Sequence, residues 1–430
     1  MKLSDLRYKR KLQMNLNDNE KRMLYGEQGI GIQKAMEFLV TIGDGNGAEE
    51  MVDISSAHLL TLVDKSVPYE LTSELTKRVK VRVPTTTHAR AFDIDSIKDM
   101  GMPDSAIEEN RDIIREVDQL YHDLGTIPTY TCFPYSWHNL RLGDHVAFTD
   151  TLVVQMVNAW FGARTNMETP ISAVASAITG KTPKYGMHLA GNRLGKILIE
   201  VSANLEADNF DYADYGALSF WAGKLSVNGL PAIPVYQGLS PRATIISAKN
   251  MTLSHTWNSG MSMFHMVGIT PEAPTVEAAL GGRKPVEKFT FGKNEMEEAY
   301  RGLTTATEEK VDVVCLTCPN CTLEEMVNIA GMLHGKKIHK DTQLWVGTNR
   351  TTKDVAKRMG LIDVIESAGG IVIKDACATY HPIGALKPRV VASNAAALQN
   401  TLALSGGQTT IWFGRTADCI NAAVKGKWQV

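Results

Sequence analysis

Three of the six cysteines, Cys315, Cys318 and Cys321, crowd into one C-x2-C-x2-C run. Thiolates gathered in a partly electropositive crevice suit a soft metal or an iron–sulfur cluster. A ferredoxin-type run needs its next Cys three residues on, followed by Pro, and that is missing. No second C-x-x-C or spaced His pair stands nearby to complete a zinc tetrahedron. Cys315 sits inside the apolar run VDVVCL, where a free Cys acts as a small hydrophobe. Cys318, followed by Pro319, is the better ligand, and the spacing leaves Cys321 open. Cys132 follows IPTYT, Cys377 follows IVIKDA, and Ser393-Asn394 follows VVA. Such groups just past strand ends are where open parallel sheets bind ligands. Cys419, near the end of the chain, is read as structural.

The segments GARTN, GKTPKYG and GNR place Arg164, Lys181, Lys184 and Arg193 beside glycine turns. Guanidinium and ammonium groups so placed suit a carboxylate or phosphate. A solvated basic face is the alternative. Histidines 58, 88, 138, 145, 188, 255, 265 and 381 mostly neighbour Gly, Ser or Thr. In that setting an ordinary hydrogen-bonding role is commoner than metal ligation.

Elements of alternating type must position these groups. Residues 20–43 read as a helical hairpin or kinked helix, capped by Asn19 and interrupted by Gly29 and Gly31. MVDIS, VKVRVPTTT and IPTYTCF read as strands, with a helix from Asp104 to Gly125 between the last two. DHVAFTDTLVVQMVNAWFG reads as one buried helix. From residue 301 onward, strands (VDVVCLTC, QLWVGTN, GIVIKDAC, PRVVASN, TTIWFG) alternate with helices (TLEEMVNIAGMLHG, RTTKDVAKRMGLIDVIESAGG, NAAALQNTLALSG). The fold class is therefore α/β and multi-domain, with largely parallel sheets flanked by helices. We divide it into an N-terminal α/β region, residues 1–300, and a doubly wound unit, residues 301–430, carrying Cys318 and Cys377.

Composition narrows the function. The 430 residues hold 45 Lys and Arg against 47 Asp and Glu, a net charge of −2, with 44% hydrophobic residues. Such a chain buries a core and is not a disordered polymer. Near-neutral charge gives no footprint for nucleic acid. The basic N-terminus lacks the apolar run of a secretory signal, and nothing is apolar for long enough to cross a membrane. Sparse cysteines point to the reducing cytoplasm.

Taken in order, several segments resemble one family. GEQGIGIQKAMEFLV, TYTCFPY with GDHVAF, GARTN, GKTPKYGMHLAGNR, VGITPEAPT, the Cys318-Pro319 turn and KDACATYHPI with VASN are similar to aconitase X. The resemblance runs from about residue 20 to about 415. It implies an aconitase-like architecture and an iron–sulfur (or iron) dehydratase of a small hydroxy acid. The implied ligands are Cys132, Cys318 and Cys377. It also implies that a swivelling domain, here a separate small subunit, completes the site. The implied substrate is cis-3-hydroxy-L-proline or a related compound, with mevalonate 5-phosphate as the alternative. HMVGITPEAPTVEAALGG is similar to the first type, and GKTPKYG to the second.

Elimination of water needs an acid or Lewis acid at the hydroxyl and a base for the proton alpha to the carboxylate. By the resemblance, the base is Ser393, His58 or a residue of the small subunit. Thr86, Arg164, Asn166, Lys181, His188, Arg193 and Asn394 stand at substrate positions. Glu27 is either an additional iron ligand or a helix-packing carboxylate. Two departures leave a third substrate open: TTTHAR replaces an expected Thr-Thr-Leu-Asn, and Ala-Ala follows Asn394 in place of Gly-Lys. A reading of another class is a non-catalytic zinc-binding protein built on Cys315, Cys318 and Cys321.

Overall fold

The computed structural model describes residues 14–60, 67–76, 79–90, 92–377, 386–399 and 408–429. His381 and most of NAAALQNTLALSG lie outside these residues. The chain opens on two helices, Asp18–Leu24 and Ile30–Gly45. The first begins at Asn17, not Asn19: the Asn17 side chain accepts from the Glu20 amide at 3.0 Å, and Glu20 returns a bond to the Asn17 amide at 2.9 Å. That reciprocal pair satisfies two amides that a helix start leaves free. Gly29 (φ 103°) then turns the chain into the second helix, while Gly31 lies inside that helix, where a Cβ would strike Val79 at 2.4 Å.

Three all-parallel sheets follow, as expected for an α/β chain. One is ordered Thr85–Thr87, Ala57–Leu59, Ala147–Phe148. The second is ordered His265–Met266, Pro234–Gln237, Ile197–Val201, Glu287–Phe291. The third is ordered Ile371–Lys374, Gln343–Thr348, Val313–Leu316, Val390–Ser393, Thr410–Phe413. Both faces of the third sheet are apolar. Val314, Leu316, Leu344, Val346, Val372 and Ala392 fill one core. Val313, Cys315, Trp345, Ile373, Val391 and Ile411 fill the other. Strand side chains alternate between faces, so neighbours in sequence divide between the two cores.

Four expectations are corrected. VKVRVPTTT contributes a strand only at Thr85–Thr87. IPTYTCF is not a strand: it touches that strand through Ile127 N to Thr85 O (2.7 Å) and Thr131 N to Thr87 O (3.3 Å). Pro128 has no N–H to give, and Tyr130 adopts φ 41°, so a ladder cannot continue. DHVAFTDTLVVQMVNAWFG splits into the strand Ala147–Phe148 and the helix Thr151–Ala159, because Asp150 caps the helix. RTTKDVAKRMGLIDVIESAGG is two helices, Arg350–Arg358 and Leu361–Ala368, divided by Gly360 at φ 76°.

Candidate functional site

Cys318 and Cys377 lie in loops past the carboxyl ends of Val313–Leu316 and Ile371–Lys374, so they share one end of the third sheet. Cys132 reaches the same place from the N-terminal region. The residue that joins them is Asn320, only 1% exposed. Its amide donates to Cys132 Sγ at 3.0 Å, and its Oδ1 accepts from the Cys132 amide at 3.3 Å. Its Nδ2 donates to the carbonyl of Ala376, beside Cys377, at 3.3 Å. The Cys377 amide in turn donates to Arg90 O at 2.7 Å. Asn320 thus staples three loops into one junction, and sequence reading missed it: a lone Asn in PNC carries no signal by type or spacing.

A buried cation supports the staple. Lys249 is 0% exposed and donates to Asn320 O at 2.9 Å and to Glu325 at 2.7 Å. Phe133 and Tyr212 flank its ammonium, at 5.6 and 5.5 Å from the ring centres. Burial pushes the Cys132 thiol up to about 12, against the opposing pull of the Asn320 amide. Among the described residues, no three Cys, His, Asp or Glu side chains already enclose a point where one ion would sit. The junction assembles the loops without preforming the ligand geometry.

The neighbouring thiols are sorted elsewhere. Cys315 contacts Thr317 Oγ1 at 3.0 Å within one core, whereas Cys321 donates to Leu316 O at 3.1 Å and belongs to the other. Cys315 and Cys321 lie on opposite sides of the sheet, so the C-x2-C-x2-C run does not form a common zinc site. Cys419 is buried in the helix Thr416–Lys425.

The polar residues gather in separate places. Arg164, Asn166, His188 and Arg193 meet around the short turn Gly186–His188. Asn166 accepts from Met187 N (2.8 Å) and donates to Tyr185 O (3.2 Å), while Arg164 donates to His188 O (3.3 Å). His188 faces His145, Nδ1 to Nδ1, at 2.9 Å. Burial first, then His145 and the charges of Arg193 and Arg164, push His188 down to about 3. The Arg164 Nε and His188 Nε2 atoms are buried without partners among the described residues. Arg193 is committed: Glu272 takes its Nε and Nη2, and Asn158 takes Nη1 at 3.0 Å. Lys181 pairs with Asp53 (2.5 Å) and Glu20 (3.1 Å) at the antiparallel pair Met51–Asp53 and Lys181–Pro183, and Lys184 with Glu50 (2.7 Å).

The remaining candidates are placed as follows. Ser393 is fully buried and donates its hydroxyl hydrogen bond to Cys315 O at 2.7 Å. Asn394 donates to Thr416 Oγ1 at 3.0 Å. His58 and Thr86, both 0% exposed, bond to each other at 2.7 Å inside the first sheet. Glu27 is exposed in the turn between the first two helices.

Models of the aconitase X first, second and third domains match residues 13–191, 195–301 and 311–425. The phosphomevalonate dehydratase large subunit of Methanocaldococcus jannaschii is 34% identical over 388 residues, covering 89% of this chain and 93% of that protein. The cis-3-hydroxy-L-proline dehydratase of Pseudomonas aeruginosa is 29% identical over 415 residues, covering 95% of this chain and 70% of that protein. The holo-form crystal structure of Thermococcus kodakaraensis aconitase X superposes with a TM-score of 0.82 at 27% identity, covering 95% of this chain and 100% of that one.

Proposed function

The chain belongs to the aconitase X family of dehydratases, and we propose that it removes water from a small hydroxy acid with the help of an iron–sulfur cluster. It would act as a large subunit, completed by a separate small subunit of the swivelling-domain type. The observation that carries this reading is the Asn320 staple, which draws Cys132, Cys318 and Cys377 to one end of the third sheet. The donor set fits the group: three sulfurs from three loops, with Cys132 held neutral by burial until a cation compensates its thiolate. A cluster bound there would supply a Lewis acid for the departing hydroxyl.

The chain's own groups supply orientation. Of Arg164, Lys181, Lys184 and Arg193, only Arg164 meets no carboxylate within ion-pair distance among the described residues. A guanidinium with no carboxylate partner suits a substrate carboxylate, and with HMVGITPEAPTVEAALGG similar to the hydroxyproline type, the substrate we assign is cis-3-hydroxy-L-proline or a related compound. His188 and Asn166 hold that guanidinium's surroundings in place. A second reading, mevalonate 5-phosphate, is favoured by the near-complete coverage of the phosphomevalonate dehydratase large subunit.

The test is anaerobic co-purification with the small subunit, followed by iron and acid-labile sulfide analysis. Each substrate is then offered alone and its loss followed by NMR. Iron with sulfide, lost in Cys318→Ala, together with turnover of either hydroxy acid, supports the proposal. Zinc without iron, unchanged by Cys132→Ala or Cys377→Ala, overturns it in favour of a zinc-binding protein.

A further inference from the structure

Five side chains form a continuous row beneath the first sheet. His138 Nε2 lies 2.8 Å from Thr86 Oγ1, which lies 2.7 Å from His58 Nδ1. His58 Nε2 lies 3.2 Å from His88 Nδ1, and His88 Nε2 lies 3.4 Å from Asp150 Oδ2. With His88 Nε2 turned to the Asp150 carboxylate at ion-pair distance, valence fixes the direction of the three hydrogen bonds. A carboxylate only accepts, so His88 Nε2 carries the hydrogen that faces Asp150. A neutral imidazole has one N–H, which leaves His88 Nδ1 to accept from His58 Nε2. His58 Nδ1 then takes the Thr86 hydroxyl proton, and Thr86 oxygen accepts from His138 Nε2. The end of the row, His138 Nδ1, must be bare. It is a buried nitrogen with no partner among the described residues.

The rings are neutral at pH 7. Burial drives His58 and His88 below the ordinary imidazole value and His138 down to about 4. The His88–Asp150 end lies toward the cysteine junction: Thr87, next to His88, accepts from the amide of Thr131, next to Cys132, at 3.3 Å. Its charge bears on the Cys132 thiol. His88 shares the TTTHAR segment with Arg90, whose carbonyl accepts the Cys377 amide. Asp150 is also pinned: Oδ1 caps the helix Thr151–Ala159 at 3.1 Å, and its backbone holds φ 74°, ψ 132°. A non-glycine residue held there stores strain of the kind found at functional sites.

We propose that this row is a proton path joining His138 Nδ1 to Asp150 beside the cysteine junction. The inference rests on the dehydratase reading. A proton bound at His138 Nδ1 displaces the Nε2 hydrogen to Thr86, and the Thr86 hydrogen moves to His58 Nδ1. The His58 Nε2 hydrogen moves to His88 Nδ1, and the His88 Nε2 hydrogen to Asp150. Each hop makes one bond to hydrogen and breaks another, and the entering charge is cancelled at the carboxylate. The reverse hops return the proton. Dehydration frees one proton at carbon and consumes one at the departing hydroxide, so a path that runs both ways needs no external donor. Asp150 is the terminal acceptor of the row; Thr86, His58 and His88 are positioning residues that act through it.

The experiment is nitrogen NMR of the assembled enzyme with labelled histidine, paired with kinetics of Thr86→Val and Thr86→Ser. All three rings, His58, His88 and His138, are expected in the Nε2–H form. Thr86→Val removes the hydroxyl at nearly constant volume and should lower kcat about 100-fold, with KM little changed. Thr86→Ser, which restores the hydroxyl, should return kcat to within about 5-fold of the parent. Any of the three rings in the Nδ1–H form overturns the path, as does a folded Thr86→Val enzyme with parental kcat. If Thr86→Val does not fold, the ring forms decide alone. If the parent enzyme dehydrates no hydroxy acid, the dehydratase reading falls, while the ring forms still uphold or refute the row.

Discussion

Replacing Asn320 by Ala isolates the staple from the rest of the junction. The variant keeps the backbone amide that serves Cys132 Sγ and removes the two side-chain bonds, each 3.3 Å long. Two buried groups, the Cys132 N–H and the Ala376 carbonyl, then lose their partners. Residue 132 is 7% exposed and residue 376 only 1%, so water does not replace those partners freely. A buried unsatisfied amide or carbonyl costs about 1–3 kcal/mol, and the long bonds place each at the lower end. The expected loss is about 2–3 kcal/mol in a urea titration of the metal-free chain. Because the same bonds register three cysteine loops, iron per chain should fall in parallel. Asn394→Ala is the control: it also loses a buried amide bond, to Thr416 at 3.0 Å, but touches none of the three loops. It should cost about 1 kcal/mol and leave iron unchanged. An Asn320→Ala chain within about 0.5 kcal/mol of the parent, or equal iron loss in both variants, would refute the reasoning.

Lys249→Met leaves Glu325 facing a site that has lost its charge, and should destabilise the chain by about 3–5 kcal/mol. Adding Glu325→Gln should recover most of that loss in the same urea titration, because the capping bond from Thr322 N at 2.8 Å survives. Stability should also fall in acid. His138 protonates near 6.5 when unfolded and at about 4 when folded, so below 6.5 the unfolded chain takes up the proton first. About 3 kcal/mol present at pH 7 is then lost by pH 4, and comparing urea midpoints with His138→Gln, where the drop shrinks, checks it. At Gly186 (φ 55°) a Cβ would lie 2.2 Å from Asn166 Oδ1. Gly186→Ala should therefore displace Asn166 and raise KM at least about 10-fold, a cost of about 1.4 kcal/mol, with kcat less affected.

Where the sequence repeated a simple period, it could be read. The alternation after residue 301 specified the third sheet because both faces of that sheet are packed, and long apolar strands need little help from distant residues. Cys318 and Cys377 were legible for the same reason: they follow those strands directly. Cys132 was singled out by type, but its expected strand was not formed, since Pro128 and the left-handed Tyr130 end the ladder. Asp150 was hidden within an apolar stretch because its role depends on an unusual backbone conformation that residue spacing does not report. Asn320 and Lys249 were invisible in sequence. Their partners stand far along the chain, Asn320 and Cys132 being 188 positions apart, and no local pattern encodes a contact at that range. The committed state of Arg193 and Lys181 escaped for a like reason: a cation beside glycine turns looks the same whether or not a carboxylate from elsewhere reaches it.

That same long reach has a thermodynamic side. The third sheet packs one face against Phe92, Ile97, Met100, Met102, Ile107 and Ile114, so it shares an apolar core with the first region. The junction adds to this union, because its bonds exist only while both units are folded and docked. A ligand held by Cys132 on one side and by Cys318 and Cys377 on the other would behave as a reversible cross-link, closing a loop of 186 positions between Cys132 and Cys318. Loading such a cross-link stabilises neither unit alone but only their union, by an amount set by occupancy and affinity. Metal occupancy would thus govern how cooperatively the whole chain unfolds.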